Sequence, residues 1–296
     1  KKSFSQILEY INLRLIVDVL TASGSNSAMS TLIENPRKYG IPPYKTAVVH
    51  GGPGAQGGVA DIALKLSAYT GILEPIQTEC SVDGEIDELY RLIKKEGEPP
   101  VVLIGHSWGA WLSLLTAARY PEVVSKLILV SSAPFEDRYA ASIHQRRVDR
   151  LNAEEKIRFK SLMQRLSSSR SGEDRALSQK LHSIFLKSDF YETGIDGENY
   201  GNNIKINSSI FNGVWSSAAE LRSSGMLLKT ASVIQCPVLA IHGDHDPHPA
   251  EGVELPLMRV IKNFRFILLE KCGHYPWLEQ HASEKFYEIL RREIQL

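Results

Sequence analysis

The sequence has little cysteine, no excess of either charge and no long apolar run. Cys80, Cys236 and Cys272 are its 3 cysteines in 296 residues. They lie far apart, and an odd, sparse set makes neither a disulfide framework nor a metal-ligand spacing. They read as free thiols, which implies a reducing compartment and a cytoplasmic protein. Lys+Arg and Asp+Glu are both 34, so the formal net charge is +0. Without a dense basic cluster, no nucleic-acid partner is expected. No stretch is long and apolar enough to span a membrane. The opening KKSFSQILEYINLRLIVDVL imitates a signal peptide, but Arg14 and Asp18 interrupt its apolar part. The sequence opens on Lys1 rather than Met. A missing or processed start is therefore expected.

What is present is the pattern of a parallel sheet. A chain of this length builds one large domain, or one domain with an insertion. Apolar runs at 46–50, 100–104, 126–131, 237–242 and 265–270 are separated by segments of helix length. Continuous apolar strands are those of a sheet covered on both faces. Segments 85–95, 108–120 and 280–294 carry apolar residues at helical spacing. Alternating strands and helices predict an α/β doubly wound fold, a mostly parallel sheet flanked by helices.

One region breaks the alternation. Residues 136–230 are polar and helical in pattern, with a Ser/Arg-rich stretch at 167–172 and no strong strand. They are expected to form a helical cap inserted between two core parts, 1–135 and 231–296. An insert of that length predicts a lidded pocket for a small substrate. In the first 40 residues, Ile11, Leu13, Leu15, Val17 and Val19 fit a strand or a helix equally.

The stretch VVLIGHSWGAWLSLL places one hydroxyl, Ser107, between Gly105 and Gly109, after a predicted strand and before a predicted helix. That is the setting in which G-x-S-x-G makes a nucleophile elbow. A sharp turn lifts the hydroxyl off the sheet, and the glycines let strand and helix approach. The plain alternative is a turn with a serine N-cap.

A serine hydroxyl needs a base. His274, just past the run 265–270, is the candidate. The base needs an orienting carboxylate, and AIHGDHDPHP offers Asp244 and Asp246. Asp246 is favoured because it lies beyond the tight turn, which Asp244 caps instead. The order Ser107, Asp246, His274 is one that a Ser-His-Asp site uses. His242, Asp244, His245, Asp246 and His248 also form a dense set of metal-ligand types, but alternating residues at a strand end point to opposite faces. No metal and no cofactor is expected. Acyl transfer also needs oxyanion donors. The turn His50-Gly51-Gly52-Pro53-Gly54 supplies bare backbone, and the main-chain N–H groups of Gly52 and Trp108 are the candidates. The Trp108 indole is expected only to pack, and His50 to brace the loop.

These residues resemble the α/β-hydrolase superfamily from about residue 44 onward. HGGPG, GHSWG and the tail GHYPWLE are similar to the proline iminopeptidase branch. The resemblance implies a serine nucleophile, a backbone oxyanion hole and removal of an N-terminal residue from a peptide. That branch holds the substrate amine with cap carboxylates. Here Glu136, Asp137, Asp189, Glu192 and Glu220 are acidic, without a motif that places them, and most are expected to be solvated. Phe211, Trp215 and Leu221 at helical spacing fit a pocket roof or ordinary packing. The expected activity is cofactor-free hydrolysis of a small ester or amide through an acyl-enzyme, with an aminopeptidase acting on short peptides as the alternative. A binding protein that uses the same fold without turnover is the alternative of another class.

Overall fold

The computed structural model describes residues 34–168, 184–194 and 205–295. The ambiguous segment at residues 11–19 and most of the Ser/Arg-rich stretch lie outside the described residues.

The strands are β1 (Arg37–Tyr39), β2 (Tyr44–Val49), β3 (Ala55–Gln56), β4 (Gly71–Glu74), β5 (Val101–His106), β6 (Val124–Val130), β7 (Lys205–Ile206), β8 (Val238–Gly243) and β9 (Phe264–Leu269). Seven of them form one sheet in the order β1-β4-β2-β5-β6-β8-β9. Only β1 runs antiparallel to its neighbour. The five predicted apolar runs are β2, β5, β6, β8 and β9.

Strand alternation sorts the side chains onto two faces. Ala47, Val49, Leu103, Leu127 and Leu129 pack in one buried cluster with helices α2 (Val82–Glu96) and α3 (Trp108–Arg119). Val48, Ile104, Ile128, Val130 and Ile241 pack in the other, with α1 (Ala60–Leu66) and α10 (Ser283–Ile294). Each such fully buried Val, Leu or Ile side chain contributes about 1.5–3 kcal/mol. Both sheet faces are thus covered, as continuous apolar strands require.

Between β6 and β8 the described residues are mostly helical. It carries α4 (Asp137–Ala140), α5 (Ile143–Asp149), α6 (Ala153–Ser168), α7 (Ser208–Ser223) and α8 (Met226–Ala231). Leu151, Phe159, Leu162, Ile184 and Phe185 form a small core within this segment. It also holds β7, which the sequence pattern does not announce. β7 pairs antiparallel with β3, just after the HGGPG turn. Phe211 and Trp215 stack at 5.9 Å, both buried, so their helical spacing serves packing. Helix α9 (Glu251–Val260) joins β8 to β9.

Candidate active site

The loops that follow β2, β5, β8 and β9 all leave the carboxyl edge of the sheet, where open α/β sheets place their sites. Ser107 joins β5 to α3 at φ 53° and ψ −115°. This conformation is costly for a residue with a Cβ. Its N–H donates to the Val130 carbonyl at 2.9 Å, and its hydroxyl makes no capping hydrogen bond. The serine therefore does not serve as an N-cap. A Cβ on Gly105 would lie 2.2 Å from the Gly109 carbonyl oxygen, and one on Gly109 2.4 Å from that of Val49. Only glycine fits at either place. On the other side of the elbow, a Cβ on Gly51 would lie 2.9 Å from that of Ser107. The HGGPG turn thus abuts the serine.

Asp246 and His274 meet as a buried pair. His274 Nδ1 donates to Asp246 Oδ2 at 2.8 Å. Burial works against ionisation of Asp246, but the imidazoles of His274, His242 and His248 hold it well below the usual carboxylate range. It is therefore a carboxylate that accepts the Nδ1 proton, which leaves His274 Nε2 as the basic nitrogen. The loops after β8 and β9 are stitched together. His245 N–H donates to the Cys272 carbonyl at 2.8 Å, and Asp244 Oδ1 accepts from Cys272 N–H at 3.1 Å. The Asp244 side chain thus ties the two loops together rather than capping its own turn, which Asp246 N–H closes on the Gly243 carbonyl at 3.2 Å.

His106 connects the elbow to this pair. Its Nε2 donates to the His274 carbonyl at 3.0 Å, and the two rings lie 4.8 Å apart. Burial and the neighbouring His274 hold His106 neutral, well below its ordinary range. Glu279, in the GHYPWLE tail, accepts from the N–H groups of Gly273, Tyr191 and Glu192 at 2.7, 2.9 and 2.9 Å. It ties the His274 loop to residues 191–192. The His274 N–H itself donates to the Asp189 carbonyl at 2.7 Å.

The ligand types of the 242–248 stretch do not all converge, since Asp244 turns to Cys272 N–H, but His242 and His248 both reach Asp246. His248 Nδ1 donates to Asp246 Oδ1 at 2.9 Å and its backbone N–H to the same oxygen at 2.8 Å. His242 Nε2 lies 3.5 Å from Oδ2 and donates to the His248 carbonyl at 2.8 Å. The loop beyond β8 curls back, so strand alternation no longer governs it. Potential ligand atoms of Asp246, His248 and His274 lie within 4.8 Å of one another. The two Nδ1–H groups already donate to the carboxylate, where a shared cation would sit. Of the acidic residues named from 136–230, Glu136, Asp137, Glu192 and Glu220 are partly or fully exposed, as expected, and Asp189 is the exception. Asp189 is buried and takes Arg147 Nε and Nη2 on its two oxygens at 2.6 and 2.8 Å. Glu136 pairs with Arg138 and Arg259, Asp137 with Arg222, and Glu192 with His281.

The Trp108 indole does more than pack. Its Nε1 donates to Glu85 Oε2 at 3.0 Å. Burial pushes Glu85 up to about 8, against the pull of that hydrogen bond. Its Oε1 has no hydrogen-bond partner among the described residues. Nothing in the sequence separates Glu85 from an ordinary acidic residue in the first turn of a helix. The sign of its linkage is definite. Between about 4.5 and about 8 the folded state keeps a proton that the unfolded state has lost. Stability therefore falls as pH rises through that window. Glu85→Gln keeps an acceptor for the indole and removes the titration. It is expected to melt higher than the wild type at pH 8, by about 2–4 kcal/mol, and to match it near pH 4.5. Thermal melts across this range check the prediction, and parallel curves for the two proteins contradict it.

Comparison with known proteins decides the family. The model of the alpha/beta hydrolase family matches residues 50–289. The chain belongs to the alpha/beta hydrolase family. Epoxide hydrolase 4 of Homo sapiens is 35% identical over 71 residues, which is 24% of this chain and 20% of that protein. The chain spans at most about a fifth of the length of the curated relatives it matches. Among solved structures, VinJ aligns with a TM-score of 0.66 at 18% identity, covering 88% of this chain and 94% of that one. A proline iminopeptidase of Mycobacterium smegmatis aligns with a TM-score of 0.58 at 16% identity, covering 88% and 93%. Likeness at such identity carries the alpha/beta hydrolase fold and nothing finer. Among the described residues, no helix is long and apolar enough to cross a membrane.

Proposed function

We propose that the protein is a cofactor-free serine hydrolase that cleaves a small ester or amide through an acyl-enzyme. The observation that carries this reading is the buried His274–Asp246 pair, fastened through His106 to an elbow where Ser107 holds a costly backbone conformation. In the proposed cycle, Ser107 Oγ attacks the substrate carbonyl and its proton passes to His274 Nε2. Asp246 keeps the ring oriented and stabilises the imidazolium. The N–H groups of Gly52 and Trp108 donate to the oxyanion, each lowering the barrier by about 3 kcal/mol. Trp108 is the first residue of α3, so its amide has no carbonyl one turn earlier to bond. His274 then returns the proton to the leaving group. A water activated by the same nitrogen releases the acid.

Residues 136–230 are assigned the role of a cap, joined to the 1–135 and 231–296 core. Two contacts support this: the β3–β7 pairing beside the HGGPG turn, and the Asp189 carbonyl on His274 N–H. A cap so placed favours a small substrate over a folded protein.

An ester or acyl substrate ranks above an N-terminal peptide. An aminopeptidase needs a carboxylate open to the substrate's ammonium. Asp189, the buried acid against the His274 loop, is held at both oxygens by Arg147. The test compares p-nitrophenyl esters with aminoacyl-p-nitroanilides. The expected result is kcat/KM at least about tenfold higher on the esters. Faster turnover of prolyl or other aminoacyl anilides would select the iminopeptidase-like reading instead. A folded protein that turns over neither series would have a hydrolase fold used for binding.

A further inference from the structure

The HGGPG turn has few local bonds: Ala55 N–H donates to the Gly52 carbonyl at 2.9 Å and His50 Nδ1 to that of Gly51 at 3.2 Å. Gly52 and Gly54 sit at φ 63° and 69°, and glycine at such values has many alternatives in reach. Yet an oxyanion donor works only if its direction is fixed before the reaction begins. Contacts from outside the turn add to these local bonds.

β4 is the strand beside β2 in the sheet, and the two run parallel. The loop that leaves β4 therefore emerges next to the turn that leaves β2. Gln77 lies in that loop and is only 3% exposed. Its Nε2 donates to the His50 carbonyl at 3.0 Å, and its Oε1 accepts from Gly54 N–H at 3.0 Å. One carboxamide thus grips the turn at both ends, with Gly51, Gly52 and Pro53 between the grips. Its own backbone N–H approaches His50 Nε2 at 3.4 Å. His50 Nδ1 faces the Gly51 carbonyl at 3.2 Å, so Nδ1 carries the proton and Nε2 accepts. Burial keeps this ring neutral, down to about 4. On the far side, the Gly54 carbonyl accepts from Asn207 N–H at 3.1 Å.

We propose that Gln77 is the positioning residue of the oxyanion site, a two-handed clamp whose donor and acceptor fix the Gly52 peptide. This rests on the serine-hydrolase reading above. The chemistry of the grip is selective. A carboxylate cannot donate to the His50 carbonyl, and an apolar side chain can neither donate nor accept.

The test measures kcat, KM and Tm on a p-nitrophenyl ester for wild type, Gln77→Met and Gln77→Glu, from pH 5 to 9. Gln77→Met removes both grips at nearly constant volume. Its kcat should fall by about 10- to 100-fold with KM within about twofold, because only the transition state loses its donor. Protonated, the Gln77→Glu carboxyl offers an O–H to His50 and a carbonyl to Gly54, as the carboxamide does. Its kcat should stay near wild type at low pH and fall as the new carboxyl ionises, a limb that wild type lacks. If Gln77 served folding alone, both variants would lower Tm, the folded protein would keep wild-type kcat, and no new limb would appear. That result overturns the clamp. Ser107→Ala, run beside them, separates the claims. A dead Ser107→Ala with wild-type kcat in Gln77→Met overturns the clamp alone. Turnover that survives in Ser107→Ala removes the reaction the clamp supports and overturns both.

Discussion

Ser107→Ala is expected to lose at least about 10⁴-fold in kcat and to fold as well as the wild type. The loss follows from chemistry, since no other hydroxyl stands at the elbow between the two glycines that cannot carry a Cβ. Retention of the fold follows from the hydrogen bonds. The Ser107 hydroxyl caps nothing, and its backbone N–H stays on the Val130 carbonyl. A companion substitution sharpens the point. At φ 53° a residue with a Cβ is strained, and Ser107→Gly relieves it. That variant should be as inactive as Ser107→Ala and melt higher than the wild type by about 1 kcal/mol in stability. Stability rising while activity vanishes is the signature of strain kept for function. Melting curves and initial rates on one ester are enough to check it. A Ser107→Gly protein less stable than wild type would contradict the strain argument.

Asp246→Asn is expected to cut kcat by about 10⁴-fold with KM little changed. The reason is the direction of the new amide. Oδ1 of Asp246 receives two donors from His248, the backbone N–H and Nδ1–H. An asparagine must therefore keep its carbonyl oxygen there and turn its NH₂ toward His274. Two donors cannot face each other, so the His274 proton moves to Nε2. The lone pair then lies on Nδ1, and Nε2 has none to take the serine proton. Asp246→Glu keeps the acceptor at a longer reach and should retain more activity. The comparison of kcat in the two variants checks this, together with the imidazole ¹⁵N shifts of His274. Equal activity in Asp246→Asn and wild type would mean that His274 is not the base that Asp246 orients.

Much of this arrangement was legible in the sequence, and the reasons are particular. β5, β6 and β8 are covered on both faces, so they read as continuous apolar runs. The elbow was legible because its glycines have no substitute. That Asp246 rather than Asp244 meets His274 was legible because Asp246 lies beyond the turn after Gly243, whereas Asp244 bonds Cys272 N–H. β4 was not legible, since it is four residues long and ends against Pro75. β1 is three residues long, with Arg37 and Lys38 in its sequence Arg-Lys-Tyr, and it sits at the sheet's edge. Gln77 was hidden with β4, because its role depends on which strands are neighbours. Glu85 was hidden because its hydrogen-bond partner, the Trp108 indole, is 23 residues away. The approach of His248 to Asp246 was not legible, because it depends on how the chain curls past the strand's end.

The central claim is that Ser107 is the activated nucleophile. The most direct test is to treat the folded wild-type protein with a fluorophosphonate and map the adduct by peptide mass spectrometry. The account predicts one phosphonyl group, on the peptide that contains Ser107, forming much more slowly in Asp246→Asn. An adduct on another residue, or none on a protein that melts cooperatively, would contradict it.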